Sequence, residues 1–292
     1  MPVILGEISV LTTPLAMVRI LEMLFGCTTF SLVSSASNNE TINSETINKS
    51  NTYTFCMFTW CFFFILTALI FLVEFVQFQS LVPVSWKNLP ITMALLGALM
   101  TLMASIGFPY CAIKHEVSID PRLVAASIFS CLTFLAYAAE VCITKVRNVE
   151  QRGYMATTPG FLKVFEVFGA CVVFVTLDSD VVDKCKAGPL FWWCVAVYCS
   201  CFLMSLCTIG VMLGECTGRC PVPFDRILAG FGSLCVLMYI TAVGYWVWAL
   251  VHPDRCKQHT WKVITTTVMT CLNLLAYTVD LAFSFKLLYY RA

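Results

Sequence analysis

Eight apolar runs, each near the length needed to cross a bilayer, constrain this chain more than any motif in it. They cover residues 15–34, 56–78, 90–110, 123–146, 160–177, 191–214, 227–251 and 261–288. A helix needs about 20 mostly apolar residues to span the hydrocarbon core. Only 12% of the 292 residues are charged and 59% are hydrophobic, where a water-soluble domain carries roughly a quarter charged. The expected fold is therefore an all-α, multi-pass transmembrane bundle. The polar links, such as "VPVSWKNLP", "KHEVSIDPR" and "HPDRCKQHT", are too short to fold separately. No basic segment followed by a cleavable apolar core stands at the N-terminus, so the first run is expected to act as an uncleaved insertion signal. A net charge of +1 offers no basic field for nucleic acid.

The eight runs divide into two similar sets. "TTPLAMVRILEMLFGC" from Thr12 and "TTPGFLKVFEVFGAC" from Thr157 each place a Pro, a base, an acid three residues later and then a Cys. A shift of about 140 residues sets Arg19 and Glu22 on Lys163 and Glu166, and Cys27 on Cys171. It also sets Trp60-Cys61 on Trp193-Cys194, "VPVSWKNL" on "CPVPFDRI", and "LAYAAE" (Leu135 to Glu140) on "LAYTVD" (Leu275 to Asp280). The chain reads as tandem four-helix units over 11–148 and 154–292. An even number of spans per unit makes them parallel repeats, unlike the inverted repeats of many alternating-access transporters.

Two N-glycosylation sequons, at Asn39 and Asn48, lie between the first two runs. Acceptor sites are modified only on the lumenal side, which places that link outside and both termini in the cytosol. The excess of Lys and Arg on the inner side is small. With this orientation the intramembrane charges form an inner ionic layer: Arg19, Glu22, Glu74, Glu140, Lys163, Glu166, Glu215 and Asp280. Spacing of i,i+3 sets Arg19 beside Glu22 and Lys163 beside Glu166. Such a layer has two readings. One is a proton or cation relay; the other is a structural ionic ring that fixes helix register. No Asp, Glu, Lys, Arg or His sits in the third and seventh runs, which favours the second.

Other residues carry weaker signals. Cys185 and Cys256 share the outer side of the second unit and are expected to form a disulfide; Cys56 and Cys111 are a possible counterpart in the first. His252, Cys256 and His259 supply at most three metal ligands, and no metal or cofactor is expected. Cys216 and Cys220 in "GECTGRC" are juxtamembrane candidates for palmitoylation. Gly210, Gly214 and Gly218 make a small-residue stripe for close helix packing, by default within the bundle. Leu287, Tyr289 and Arg291 fit a proposed cholesterol-contact pattern. Nucleophile elbows, phosphate loops and Ser/His/Asp sets are absent from the sequence.

The helix-opening Pro with its base and acid, together with "LAYAAE" and "LAYTVD", resembles the MARVEL domain. The tandem arrangement, with "MFTWCF", "SWKNLPIT", "GYMATTPGFLKVFE" and "WCVAVY", resembles the myeloid-associated differentiation marker family from Leu11 onward. The resemblance implies a multi-pass protein of cholesterol-rich plasma membrane and vesicles, concerned with membrane apposition, cortical organisation, cell spreading and barrier function. The expectation is a non-enzymatic membrane organiser partnered by membrane lipids, cholesterol among them, with lateral self-association. Two alternatives stay open: a channel or transporter using the acidic layer, and a receptor-like adhesion protein.

Overall fold

A computed structural model describes residues 12–38, 51–77, 84–114, 121–147, 153–177, 188–214, 224–251 and 260–291. Each expected run is a helix: α1 Pro14–Asn38, α2 Asn51–Phe75, α3 Leu89–Lys114, α4 Pro121–Arg147, α5 Thr158–Thr176, α6 Pro189–Leu213, α7 Phe224–Val251 and α8 Thr260–Arg291. All eight contain a stretch long and apolar enough to cross a membrane, and no strand occurs among the described residues. The fold is all-helical and multi-pass, as expected.

The repeated Thr-Thr-Pro openings are helix starts built in two ways. Pro14 is the first residue of α1, where a missing N–H costs nothing. Thr13 caps the helix by accepting a hydrogen bond from the Ala16 amide at 3.3 Å. In α5 the Pro again lies in the first turn, but Thr157 makes no side-chain cap. Its hydroxyl instead donates to the Tyr154 carbonyl at 2.6 Å, closing a short 3₁₀ turn, Tyr154–Ala156, against the helix.

The chain divides into two compact units, Met1–Gly153 and Tyr154–Ala292. Within the first, α1 packs on α2 and α4, and α3 on α2 and α4. Contacts run antiparallel between neighbours: Arg19 meets Glu140 while Gly26 lies under Thr133 and Ser35 accepts from Arg122. The second unit repeats the ring, with α8 packed on α5 and α7, and α6 on both of those helices.

Polar side chains on each ring's inner face pair across helices, because an unmade hydrogen bond in hydrocarbon costs several kcal/mol. In the first unit the Trp60 indole donates to Ser130 at 3.1 Å, and Ser130 joins Ser105 at 2.9 Å. The Tyr137 hydroxyl meets Thr67 at 2.8 Å and donates to the Phe63 carbonyl at 3.2 Å. The second unit matches these bonds: Tyr198 with Thr270 at 2.8 Å, Tyr277 with Ser205 at 2.9 Å, and Tyr277 to the Cys201 carbonyl at 3.3 Å. Trp60 therefore occupies the place of Tyr198, and Cys56 that of Cys194; both cysteines are buried. The register suggested by the shared "WC" letters is displaced by more than a helical turn, since Trp193 is exposed and donates to Thr241 at 3.0 Å.

The "LAY" repeat is an orientation device. Leu135 and Leu275 face outward, whereas Ala136, Tyr137, Ala276 and Tyr277 are buried. Glu140 and Asp280, three residues beyond each Tyr, share its inward face.

Candidate functional site: a buried ionic layer in each unit

In the first unit the layer sits where α1 begins and where α2 and α4 end. Arg19 is 1% exposed. Its Nε donates to Glu140 Oε1 at 2.5 Å and its Nη1 to Glu74. One guanidinium thus ties α1 to two other helices, a use suited to its planar fork of donors. Glu22 does not receive it. Although Glu22 is also 1% exposed, neither of its carboxylate oxygens has a hydrogen-bond partner, and neither does Arg19 Nη2. The i,i+3 pairing expected from sequence is therefore replaced by longer-range pairs, because Glu74 and Glu140 bracket the arginine from the neighbouring helices.

The second unit solves the same problem differently. Lys163 Nζ lies 3.0 Å from Glu166 Oε2, the expected i,i+3 pair, and 2.8 Å from Asp280 Oδ2 on α8. Ser205 on α6 donates to Glu166 Oε2 at 2.8 Å, and the ammonium stands 5.5 Å from the centre of the Tyr277 ring. All three charged groups are buried. Glu166 is thus supplied with donors from α5 and α6, while its counterpart Glu22 has none.

Sequence reasoning missed the hydroxyl and amide groups that support these charges. Asn273 on α8 donates to the Glu166 carbonyl at 3.3 Å and to the Tyr239 hydroxyl at 3.0 Å. Its Oδ1 would lie 2.1 Å from a Cβ placed at Gly169, so α5 and α8 approach closely only because residue 169 is glycine. Ser205 and Thr67 carry no sequence signal alone, but each lies across from the repeated Tyr.

The other expected sites separate clearly. Asn39, Asn48, Cys185, Glu215, Cys216, Gly218, Cys220, His252, Cys256 and His259 lie outside the described residues. Cys56 is buried, and its thiol lies 3.9 Å from the Ala104 carbonyl. Gly210 departs from expectation: it is exposed, with nothing within 4 Å of an added Cβ, so it does not pack inside the bundle. Gly214 ends α6 as its C-cap, its amide bonded to the Gly210 carbonyl at 2.9 Å. Leu287 and Tyr289 are exposed near the end of α8. Among the described residues no group of three or more His, Cys, Asp or Glu could hold a metal.

Known proteins resemble the chain along almost its whole length. Residues 10–143 match the model of the MARVEL membrane-associating domain. A myeloid-associated differentiation marker homolog of Xenopus laevis is 37% identical, covering 98% of this chain and 96% of its own. The Homo sapiens myeloid-associated differentiation marker is also 37% identical, over 99% of this chain and 93% of its own. Homo sapiens myeloid-associated differentiation marker-like protein 2 is 32% identical over 95% and 93%. No solved structure matches. With identity of this extent to several relatives and a MARVEL domain over the first unit, the chain belongs to the myeloid-associated differentiation marker family.

Proposed function

We propose that the protein is a non-enzymatic organiser of cholesterol-rich plasma-membrane domains, with both termini in the cytosol, supporting membrane order, cortical organisation, cell spreading and barrier behaviour. One observation carries the reading: most polar groups turn inward and pair, while seven of the eight helices expose large apolar side chains and α5 is largely covered. Met17 and Leu24 on α1, Ile65 and Leu72 on α2, Leu237 and Ile240 on α7, and Leu275 and Phe285 on α8 are all more than a third exposed. Such a surface interacts through lipid packing, thickness matching and lateral contact. The paired layer holds helix register at one end of each ring. The family membership supports the same role.

A second reading, a proton or cation path, draws on Glu22, a buried carboxylate with no donor among three acids and one base. The two readings separate in cells lacking the protein. Loss should lower plasma-membrane order, read with a polarity-sensitive dye, and slow spreading. Re-expressed Glu74→Gln, Glu140→Gln, Glu215→Gln or Asp280→Gln chains that reach the surface should restore both. Failure of a surface-resident variant to restore them would favour the path.

A further inference from the structure

The ion pairs of the first unit's layer leave out Glu22. It is 1% exposed on α1, and neither of its oxygens receives a donor. Its carboxyl nevertheless stands within hydrogen-bonding reach of the Glu140 carboxyl on α4, so acceptor faces acceptor. Two carboxylates cannot bond in that way; one of them has to bring a proton. We infer that Glu22 and Glu140 hold one proton between them, a buried proton-binding site in which Glu22 donates and Glu140 accepts.

The surrounding groups decide which acid keeps the proton. Arg19, one turn before Glu22 on α1, gives Nε to Glu140 Oε1 at 2.5 Å and Nη1 to Glu74 of α2, so both of those acids accept as carboxylates. From α2 the Thr67 hydroxyl also faces Glu22, and it is joined at 2.8 Å to the Tyr137 hydroxyl of α4. Tyr137 in turn donates to the Phe63 carbonyl at 3.2 Å. A third carboxylate in this layer would be a buried charge with no donor from the cation, a state that a carboxyl leaves by taking up a proton. The second unit supports the same count. Glu22, Glu74, Glu140 and Arg19 sum to −2 when all are ionised and to −1 with the shared proton, and Glu166, Asp280 and Lys163 sum to −1. There Lys163 reaches both acids and Ser205 supplies Glu166, so every described acid has a donor without an added proton.

The site is independent of the organiser role, because a proton held in place is neither a flux nor a change in lipid order. The full chain in lipid nanodiscs at neutral pH is read by infrared spectroscopy, and the Glu22→Gln spectrum is subtracted from that of the wild type. The difference should contain the carbonyl stretch of a protonated carboxyl and no carboxylate stretch. Glu22→Gln sets a neutral donor where the neutral acid stood, so it should melt with the wild type. Folded Glu140→Gln should lose the same carbonyl band, because its amide gives Glu22 a donor and releases Arg19 Nε, leaving Glu22 ionised. Folded Glu166→Gln, in the other unit, should keep the band. A carboxylate stretch in the Glu22→Gln difference, as from an acid bridged by water or a bound cation, would overturn the assignment. So would a carbonyl band that survives Glu140→Gln, or a Glu22→Gln chain that no longer folds.

Discussion

Replacing Arg19 tests the first unit's layer at its single base. Its guanidinium holds Glu140 Oε1 at 2.5 Å and also bonds Glu74, with Arg19 and Glu140 buried and Glu74 a quarter exposed. Arg19→Met removes both ion pairs and leaves Glu22, Glu74 and Glu140 with no cation. Breaking a buried pair from one side costs about 3–5 kcal/mol, most of it from the stranded charge. Arg19→Lys should cost less: one ammonium replaces a fork that reaches two helices, so one charge-assisted hydrogen bond of about 1.5–3 kcal/mol is lost. The double change Arg19→Met with Glu140→Gln should recover part of the loss, since the most buried stranded charge is gone. Denaturation in mild detergent, with surface expression alongside, ranks the variants. The expected order is wild type, Arg19→Lys, the double variant and Arg19→Met. If Arg19→Met unfolds with wild type, or Glu140→Gln recovers nothing, the layer does not hold the unit together.

Other expectations are more local. Gly169→Ala should destabilise by about 1–3 kcal/mol, because the new methyl would meet Asn273 at the α5–α8 contact; Gly210→Ala, with open space beside it, should be neutral or slightly stabilising in the same melts. A glycosidase-sensitive mass shift should disappear when Asn39 and Asn48 are both changed to Gln, and a C-terminal tag should stay hidden on intact cells; its surface detection would reverse the orientation. Cys185→Ser or Cys256→Ser should each free one thiol for alkylation; labelling of both in the unreduced wild type would rule out the bridge.

The sequence showed the large features because they rest on simple physics. Span number follows from apolar length, and the tandem from repeated letters at a helix start, "TTP", and on a helix face, "LAY". Arg19, Glu22, Glu74 and Glu140 were legible as members of a layer, but which acids meet the arginine was not. Spacing along one helix cannot reveal that Glu74 and Glu140 approach from two others. Letter identity also misled at Trp60 and Trp193. The former fills the core and bonds Ser130, whereas the latter faces outward beside Thr241. Side-chain role is set by burial, and a tyrosine at 198 takes that role better than a matching tryptophan five residues earlier. Gly210 shows the same limit: small-residue spacing marks a face without saying which way it turns.

Reconstituting the full chain into cholesterol-containing vesicles loaded with a pH-sensitive dye tests the central claim directly, with membrane order read by a polarity-sensitive probe in the same sample. The account predicts higher order than in protein-free vesicles and proton leak no greater than theirs, with both unchanged in Glu22→Gln and in folded Glu140→Gln protein. A proton flux that Glu22→Gln or Glu140→Gln abolishes, with membrane order the same as in protein-free vesicles, would contradict it.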